Sequence, residues 1–349
     1  AMRTRHSATV FGITGSMGKT TTKEMLRHLL RGRQTLSNPG TENNIIGVSK
    51  ALLRLTSAHR NCVMELGTNH FGEISELARI VRPDAGIVTG IAPVHTEFLR
   101  DVKGVLKEKV SLFSACPQAQ PFLNGDDPML AGVRTRRKPI WFGTKKEHAI
   151  RVRLRGHEGS GTLFTVNGRH ALRLKTIGAF NGINAAAAIA AAHWHGLSIA
   201  DAVERLSAFR FPRMRLEIVR RGGVTYVNDA YNANPSAAAG SLSALKAVGA
   251  RRRIVVMADM RELGKESARY HSDVASVILS VSPSCILLLG SEVRHTARTL
   301  TAAGQRDVFL FDDKEALRKK LLGMVKKGDA VLIKGSRAFS LETVIPDRS

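Results

Sequence analysis

Residues 11–22, Phe-Gly-Ile-Thr-Gly-Ser-Met-Gly-Lys-Thr-Thr-Thr, constrain this chain more than any other stretch. An apolar run (Ala8, Thr9, Val10, Phe11) reads as a short buried strand. Three glycines then turn the chain, Lys19 and Thr20 follow, and a helical segment runs from Lys23 to Leu30. Strand, glycine-rich turn and helix start form a phosphate cradle: backbone N–H groups face the turn, the helix dipole favours negative charge, and lysine adds a cation. The Thr20 hydroxyl is placed to ligate Mg²⁺. The stretch departs from G-x-x-x-x-G-K-[ST], because Ile13 stands where the first glycine belongs and Gly12 and Gly15 flank it. A dinucleotide fingerprint is the rival reading, but it needs no Lys-Thr and spaces its glycines differently. A glycine-rich turn with no ligand is the plainest alternative. The coincidence of all parts points to a nucleoside triphosphate.

With 349 residues, 43% of them hydrophobic, the chain is long enough for two cored domains. Strand-like runs alternate with helical patterns, which signals a parallel α/β sheet. The runs are Ala8–Ile13, Asn61–Leu66, Ala85–Thr89 and Pro121–Asn124, then Val224–Asn228, Arg253–Met257, Cys285–Leu289, Val308–Phe311 and Ala330–Ile333. Residues 148–176 alternate differently and carry Gly159, Gly161 and Gly168, which predicts antiparallel strands at an edge. Ala185–His193 reads as an alanine-rich helix suited to close packing. A boundary near Phe211–Met214 divides residues 1–212 from residues 213–349. The fold class is α/β: a P-loop-type ATP-binding domain with a mostly parallel sheet, then a smaller Rossmann-like α/β domain.

No apolar run reaches the roughly 18 residues of a membrane span, and no signal peptide is visible. Cys62, Cys116 and Cys285 are far apart and odd in number, so buried thiols in a reducing cytoplasm are expected. The net charge of +24 invites a nucleic-acid reading. Yet the basic residues are scattered, with short clusters at Arg134–Lys138, Arg151–Arg155 and Arg251–Arg253. Aromatics make up only 5%, leaving little for bases to stack on. Attraction of a small anionic substrate, or plain solvation, is the preferred account; neither nucleic acid nor membrane is expected as a partner.

Several residues sit where an open α/β sheet binds ligands, beyond the strand C-termini. Glu65 ends a buried run and is either a Mg²⁺ ligand or a strand-end cap. His95 follows a second such run and is either a metal ligand or a loop histidine; Mg²⁺ prefers oxygen. Lys107 and Lys109 lie in an amphipathic helix, most simply on its solvated face. Asn181 and Asn184 head the alanine helix, for capping or for adenine. The run Asn228-Asp-Ala-Tyr-Asn-Ala-Asn-Pro-Ser236 is too densely polar to be explained by packing alone, and Lys334-Gly-Ser-Arg337 offers anion-binding groups.

Read together, these stretches resemble the Mur ligase family, and most closely its D-alanyl-D-alanine-adding branch. The matching motifs are residues 12–22, Asn43-Asn44-Ile-Ile-Gly47, Glu65-Leu-Gly with Gly72-Glu73-Ile74, His95-Thr-Glu97 and Asn124-Gly-Asp-Asp127. Beyond them come Asp229-Ala-Tyr-Asn-Ala-Asn-Pro235, Asp259-Met-Arg-Glu-Leu-Gly264 with His271, and Lys334-Gly-Ser-Arg337. They span nearly the whole chain in family order. The resemblance implies ATP-dependent amide formation through an acyl phosphate in peptidoglycan precursor synthesis, with Mg²⁺ as cofactor. Gly15, Ser16, Gly18, Lys19, Thr20 and Thr21 would hold the phosphates. Thr20, Glu65, His95 and a carbamylated Lys109 would hold metal. Asn181, Arg215 and Asp229 would contact the nucleotide. Asn44, Tyr231, Asn232, Asn234, Lys334 and Arg337 would lie on the substrate side, and closure near residues 211–215 would assemble the site.

Met17, Phe180 and Ser111 depart from the residues usual in the family. Family members also carry an N-terminal domain that grips the uridine-diphosphate sugar, whereas about ten residues precede the phosphate loop here. Three expectations follow: a trimmed chain, a natural start near Met2 with a different acceptor, or a domain supplied by a separate chain. The alternative functions are a ligase of the same chemistry on another carboxylate, such as a tetrapyrrole acid or a natural-product peptide, and a non-catalytic nucleotide-binding module.

Overall fold

The computed structural model describes residues 7–30 and 34–347. They form two compact units. The first gathers residues up to Gly156 with Thr162–Lys175 and Phe180–Arg210; the second gathers His157–Gly161, Thr176–Ala179 and the chain from Phe211 onward.

The first unit is built on a nine-stranded sheet among the described residues. Its strands are β1 (Thr9–Thr14), β2 (Thr35–Ser37), β3 (Asn61–Glu65), β4 (Ala85–Val88), β5 (Gln120–Asn124), β6 (Ile140–Gly143), β7 (Ile150–Glu158), β8 (Gly161–Val166) and β9 (His170–Leu174). The order is β2-β3-β1-β4-β5-β6-β7-β8-β9. Pairing is parallel from β2 through β7, and antiparallel between β8 and β9. β1, with the apolar side chains Val10, Phe11 and Ile13, lies between β3 and β4 and is buried along nearly its whole length. Such a run suits a strand covered on both faces. The helix Lys19–Leu29 buries Met25, Leu26 and Leu29. It packs on the helix Asn181–Trp194, whose alanines are buried almost throughout. Small side chains let these two helices lie close together.

The second unit carries β10 (Glu217–Arg221), β11 (Val224–Asn228), β12 (Arg252–Ala258), β13 (Cys285–Leu289), β14 (Val308–Phe311) and β15 (Asp329–Lys334). Their order is β10-β11-β15-β12-β13-β14, parallel except for β10 against β11. Apolar clusters cover both faces of this sheet.

Every predicted strand is present, and the antiparallel strands of 148–176 end the first sheet. β2, β6 and β10 were not foreseen. β2 has three residues, too few to show a period. β6 follows Lys138-Pro139 directly. β10, Glu-Ile-Val-Arg-Arg, is the charged edge strand that protects a sheet from further pairing. The helix at the phosphate loop starts at Lys19, not Lys23, because Gly18 takes φ 79° and turns the chain straight into it. All three cysteines are free and buried. No described helix is long and apolar enough to cross a membrane.

Candidate functional site

In the first unit the site begins at the C-terminal end of β1. Gly15 (φ 142°) and Gly18 (φ 79°) hold conformations that side chains resist, and each lies against a neighbour that a Cβ would strike: Thr89 Oγ1 at Gly15 and Asn184 Oδ1 at Gly18. The loop is tied down from outside. Ser16 N donates to Gly90 O, Ser16 Oγ exchanges bonds of 2.9–3.0 Å with the backbone of Ala92, and Thr89 Oγ1 donates to Met17 O. The Ser16 hydroxyl therefore anchors the loop to the segment after β4. Lys19 Nζ folds back to Gly15 O at 2.8 Å. Thr20 and Thr21 are buried in the first helical turn. That turn contains no acidic residue and has no side-chain cap, so nothing internal neutralises the positive end of the dipole. These are the features an anionic phosphate chain needs, and the residues fit ATP.

Glu65 ends β3 next to β1, in register with Ile13. It is 1% exposed. Asn43 Nδ2 donates to its Oε1 at 2.8 Å, while Oε2 is buried with no hydrogen-bond partner. A buried carboxylate oxygen left open in this way suits a cation. Sequence reasoning missed what holds it. Asn38 Oδ1 accepts from Glu65 N and Asn38 Nδ2 donates to Glu65 O, at 2.9 and 3.0 Å. Lys23, fully buried, donates in turn to Asn38 O and Gly40 O. Lys23 followed the motif as an ordinary helical lysine, and only the fold turns it inward.

Lys109 sits in the helix Val102–Ala115 and is fully buried, whereas Lys107 is exposed. The solvated-face reading therefore fails for Lys109. Burial, reinforced by the charge of Lys19, pushes its pKa well below the ordinary lysine value; Glu108, Glu73 and Glu65 oppose the shift. Loss of its proton is thereby favoured, and the unprotonated amine is the nucleophilic form of a lysine. Glu108 beside it accepts from Gly72 N and Ile74 N, and so fixes the start of the helix Glu73–Val81. His95, half-buried, takes φ 53° at the head of the short helix Thr96–Leu99. Among the described residues no three His, Cys, Asp or Glu side chains form a ready metal cage. Mg²⁺ needs none, since phosphates and water supply most of its ligands.

Asn181 accepts from Asn184 Nδ2 at 2.9 Å, both buried. Neither caps the helix, whose N-cap Phe180 makes no side-chain bond. Asn44 is exposed and caps the helix Ile45–Leu53 through Gly47 N.

The second unit gathers its own polar cluster at the C-terminal ends of β11, β12 and β15. Lys334 Nζ meets Asp229 Oδ2 at 2.5 Å, and Asp229 also accepts from Ser241 Oγ and Leu216 N. Arg215 stacks 4.4 Å over the ring of Tyr231. Arg337 pairs with Glu342 at 2.6 Å. Asn234 caps the helix Pro235–Lys246, and Asn232 Oδ1 accepts from Ala233 N. Asp259, His271 and Ser336 brace the neighbouring loops: Asp259 accepts from Ser291 N and Val293 N, His271 Nε2 from Met260 N, and Ser336 Oγ from Arg261 N.

A phosphate loop beside a buried glutamate and a buried lysine, carried on a parallel sheet and followed by a second α/β unit, defines an ATP-using ligase architecture. The family models agree. Residues 13–192 match the Mur ligase middle domain and residues 214–337 the Mur ligase, glutamate ligase domain. The chain belongs to the Mur ligase family. Among named relatives, the UDP-N-acetylmuramoyl-tripeptide–D-alanyl-D-alanine ligase of Escherichia coli is 32% identical over 99% of this chain and 77% of its own length. The Bacillus subtilis ligase of the same name is 29% identical over 97% and 75%. The crystal structure of MurF from Acinetobacter baumannii aligns with a TM-score of 0.90 at 27% identity, covering 98% of this chain and 77% of that one. MurF from Thermotoga maritima, solved in complex with ADP, aligns at 0.87 and 26%, covering 98% and 80%.

Proposed function

We propose that this chain is an ATP-dependent carboxylate–amine ligase that joins D-alanyl-D-alanine to the terminal carboxylate of a UDP-muramoyl tripeptide in peptidoglycan precursor synthesis. One observation supports the reading: Lys19 of the phosphate loop and Glu65, with its open oxygen, lie near enough to the buried Lys109 for their charges to act on its amine, in a chain that aligns along nearly its whole length with ligases of that name. The loop backbone from Gly15 to Gly18, with Lys19, Thr20 and Thr21, holds the phosphates and orients the γ-phosphoryl group. That group passes to the substrate carboxylate and gives an acyl phosphate and ADP. Such a transfer depends on positioning and charge neutralisation rather than on covalent help from the protein. The amine of D-alanyl-D-alanine then attacks the acyl carbon, the tetrahedral oxyanion collapses, and phosphate leaves.

Thr20, Glu65 and His95 are the residues that would hold Mg²⁺, which neutralises phosphate charge when bound. Lys109 would take up carbon dioxide on its neutral amine and release a proton, and the resulting carbamate would provide a further anionic ligand. Asn181, Arg215 and Asp229 are the proposed nucleotide contacts. Asn44, Tyr231, Asn232, Asn234, Lys334 and Arg337 are the proposed substrate contacts. The cytoplasm, where ATP is available, is the proposed location. Lys19→Ala tests the cradle: phosphate release should fall to background while the fold melts normally, and near-wild-type ligation would refute the role.

A further inference from the structure

The second unit holds a cation that the ligase reading has not used. β12 and β15 lie side by side, with Met257 opposite Lys334, so the chain beyond both strands runs along one end of the sheet. Open α/β sheets take their ligands beyond such strand ends. Lys334 ends β15, Arg337 follows it, and Arg261 follows β12. The first two are already matched by carboxylates, Lys334 by Asp229 and Arg337 by Glu342. Arg261 is exposed and makes no ion pair among the described residues. Its side chain lies instead over the ring of Phe339, with the guanidinium carbon 5.1 Å from the ring centre.

An unpaired arginine is ordinary in a chain of 53 Lys and Arg against 29 Asp and Glu. What separates Arg261 is how firmly it is held. Met260 and Leu263, both buried, anchor the turn on either side. Met260 N donates to His271 Nε2 at 3.0 Å and Arg261 N to Ser336 Oγ at 2.9 Å, while Ser336 N returns a bond to Asp259 O. Glu262, without a glycine's freedom, takes φ 64°. Such strain persists only where surrounding contacts enforce it, and it clusters at ligand sites. Two consecutive amides held by side chains from other elements, and a ring beneath the guanidinium, fix the arginine before any ligand arrives. A stacked guanidinium keeps its in-plane N–H groups free, and their fork matches a carboxylate through two parallel hydrogen bonds. Little side-chain freedom is then left to lose on binding. The phosphates of ATP have their own loop in the first unit. The amine substrate, D-alanyl-D-alanine, carries a carboxylate at its far end, which is ionised at neutral pH because α-carboxyl groups titrate near about 3.5. Arg261 is a cation of the right shape whose charge is not already spent.

We propose that Arg261 binds the terminal carboxylate of the amine substrate and so selects the free dipeptide over neutral analogues; the inference rests on the ligase reading above. The test is steady-state phosphate release by the full chain with ATP, Mg²⁺ and the UDP-muramoyl tripeptide, varying either D-alanyl-D-alanine or its C-terminal amide. In wild type the acid should have the lower KM. Arg261→Gln should raise the KM for the acid by about 10–100-fold, the loss typical of a hydrogen-bonded charge, and leave kcat and the KM values for the amide, ATP and the tripeptide within about twofold. Arg261→Lys keeps the charge without the fork and should fall between. Both variants should melt within about 2 °C of wild type, since the side chain is exposed. An equal rise for acid and amide would mean that Arg261 only shapes the loop. A rise confined to ATP or the tripeptide would give the cation to a different anion. Either result would overturn the inference, as would an unchanged KM for the acid. No ligation of the dipeptide by wild type would overturn the ligase reading itself, and this inference with it. Should the Gln variant fail to fold, Arg261→Lys is read in the same way.

Discussion

Asn38→Ala is the perturbation whose size the structure lets us work out. β2 ends at Ser37, opposite Val63. Glu65 lies two residues further along β3, where β2 has no backbone left to pair with it. The Asn38 side-chain amide takes that place, accepting from Glu65 N and donating to Glu65 O, and its Nδ2 also reaches Glu42 O at 2.7 Å. Asn38 is fully buried and Glu65 nearly so, so alanine leaves a dry N–H and a dry C=O. Each costs about 1–3 kcal/mol, which places the destabilisation at roughly 2–6 kcal/mol. For a unit of about 200 residues each kcal/mol moves Tm by about 2–4 °C, so the first unit should melt about 8–16 °C lower at the middle of that range. The loss also reaches the site, since Glu65 Oε2 is the open oxygen. Removing a group that orients a metal ligand typically costs about 10–100-fold in affinity or activity. Calorimetry, with a Mg²⁺ titration of phosphate release below the new Tm, reads both effects. A melt within about 2 °C of wild type together with an unchanged Mg²⁺ midpoint would refute the reasoning.

Two further predictions concern buried titratable groups. Lys109 binds fewer protons folded than unfolded, because its folded pKa lies well below the ordinary 10.5; stability should therefore rise with pH up to that value. Lys109→Met should fold, lose that rise and lose turnover, as pH-dependent unfolding alongside phosphate release would show; an unchanged slope would contradict it. The Cys285 thiol is pushed up to about 11, chiefly by burial, so at pH 8 it stays protonated. Iodoacetamide should leave it unlabelled in the native chain and label it in guanidinium, as read by mass spectrometry; fast native labelling would contradict the burial.

The phosphate loop was legible because its chemistry is local. Glycines needed at left-handed turns, and a lysine and threonine at a helix start, leave their mark in consecutive letters. The strands were legible as uniform apolar runs for the same reason. Lys109 stood out only through the family resemblance, because a helix shows which residues share a face but not which face a neighbouring element covers. Period alone assigned it to solvent, and the packing of the helix Val102–Ala115 on β4 buried it: a Cβ at Gly86 would strike Leu112 and Phe113. Asn38 and Lys23 escaped because their partners lie 27 and 15 residues away. Asn234 was singled out within a polar run for substrate, and its side chain in the structure caps a helix; composition does not separate those roles.

The most direct test of the central claim is phosphate release from ATP and Mg²⁺, with D-alanyl-D-alanine and the UDP-muramoyl tripeptide added singly and together, and the product weighed by mass spectrometry. The account predicts release only with both substrates, and a product heavier than the tripeptide precursor by the dipeptide less water. ATP binding without product, or equal release with neither substrate present, would contradict it.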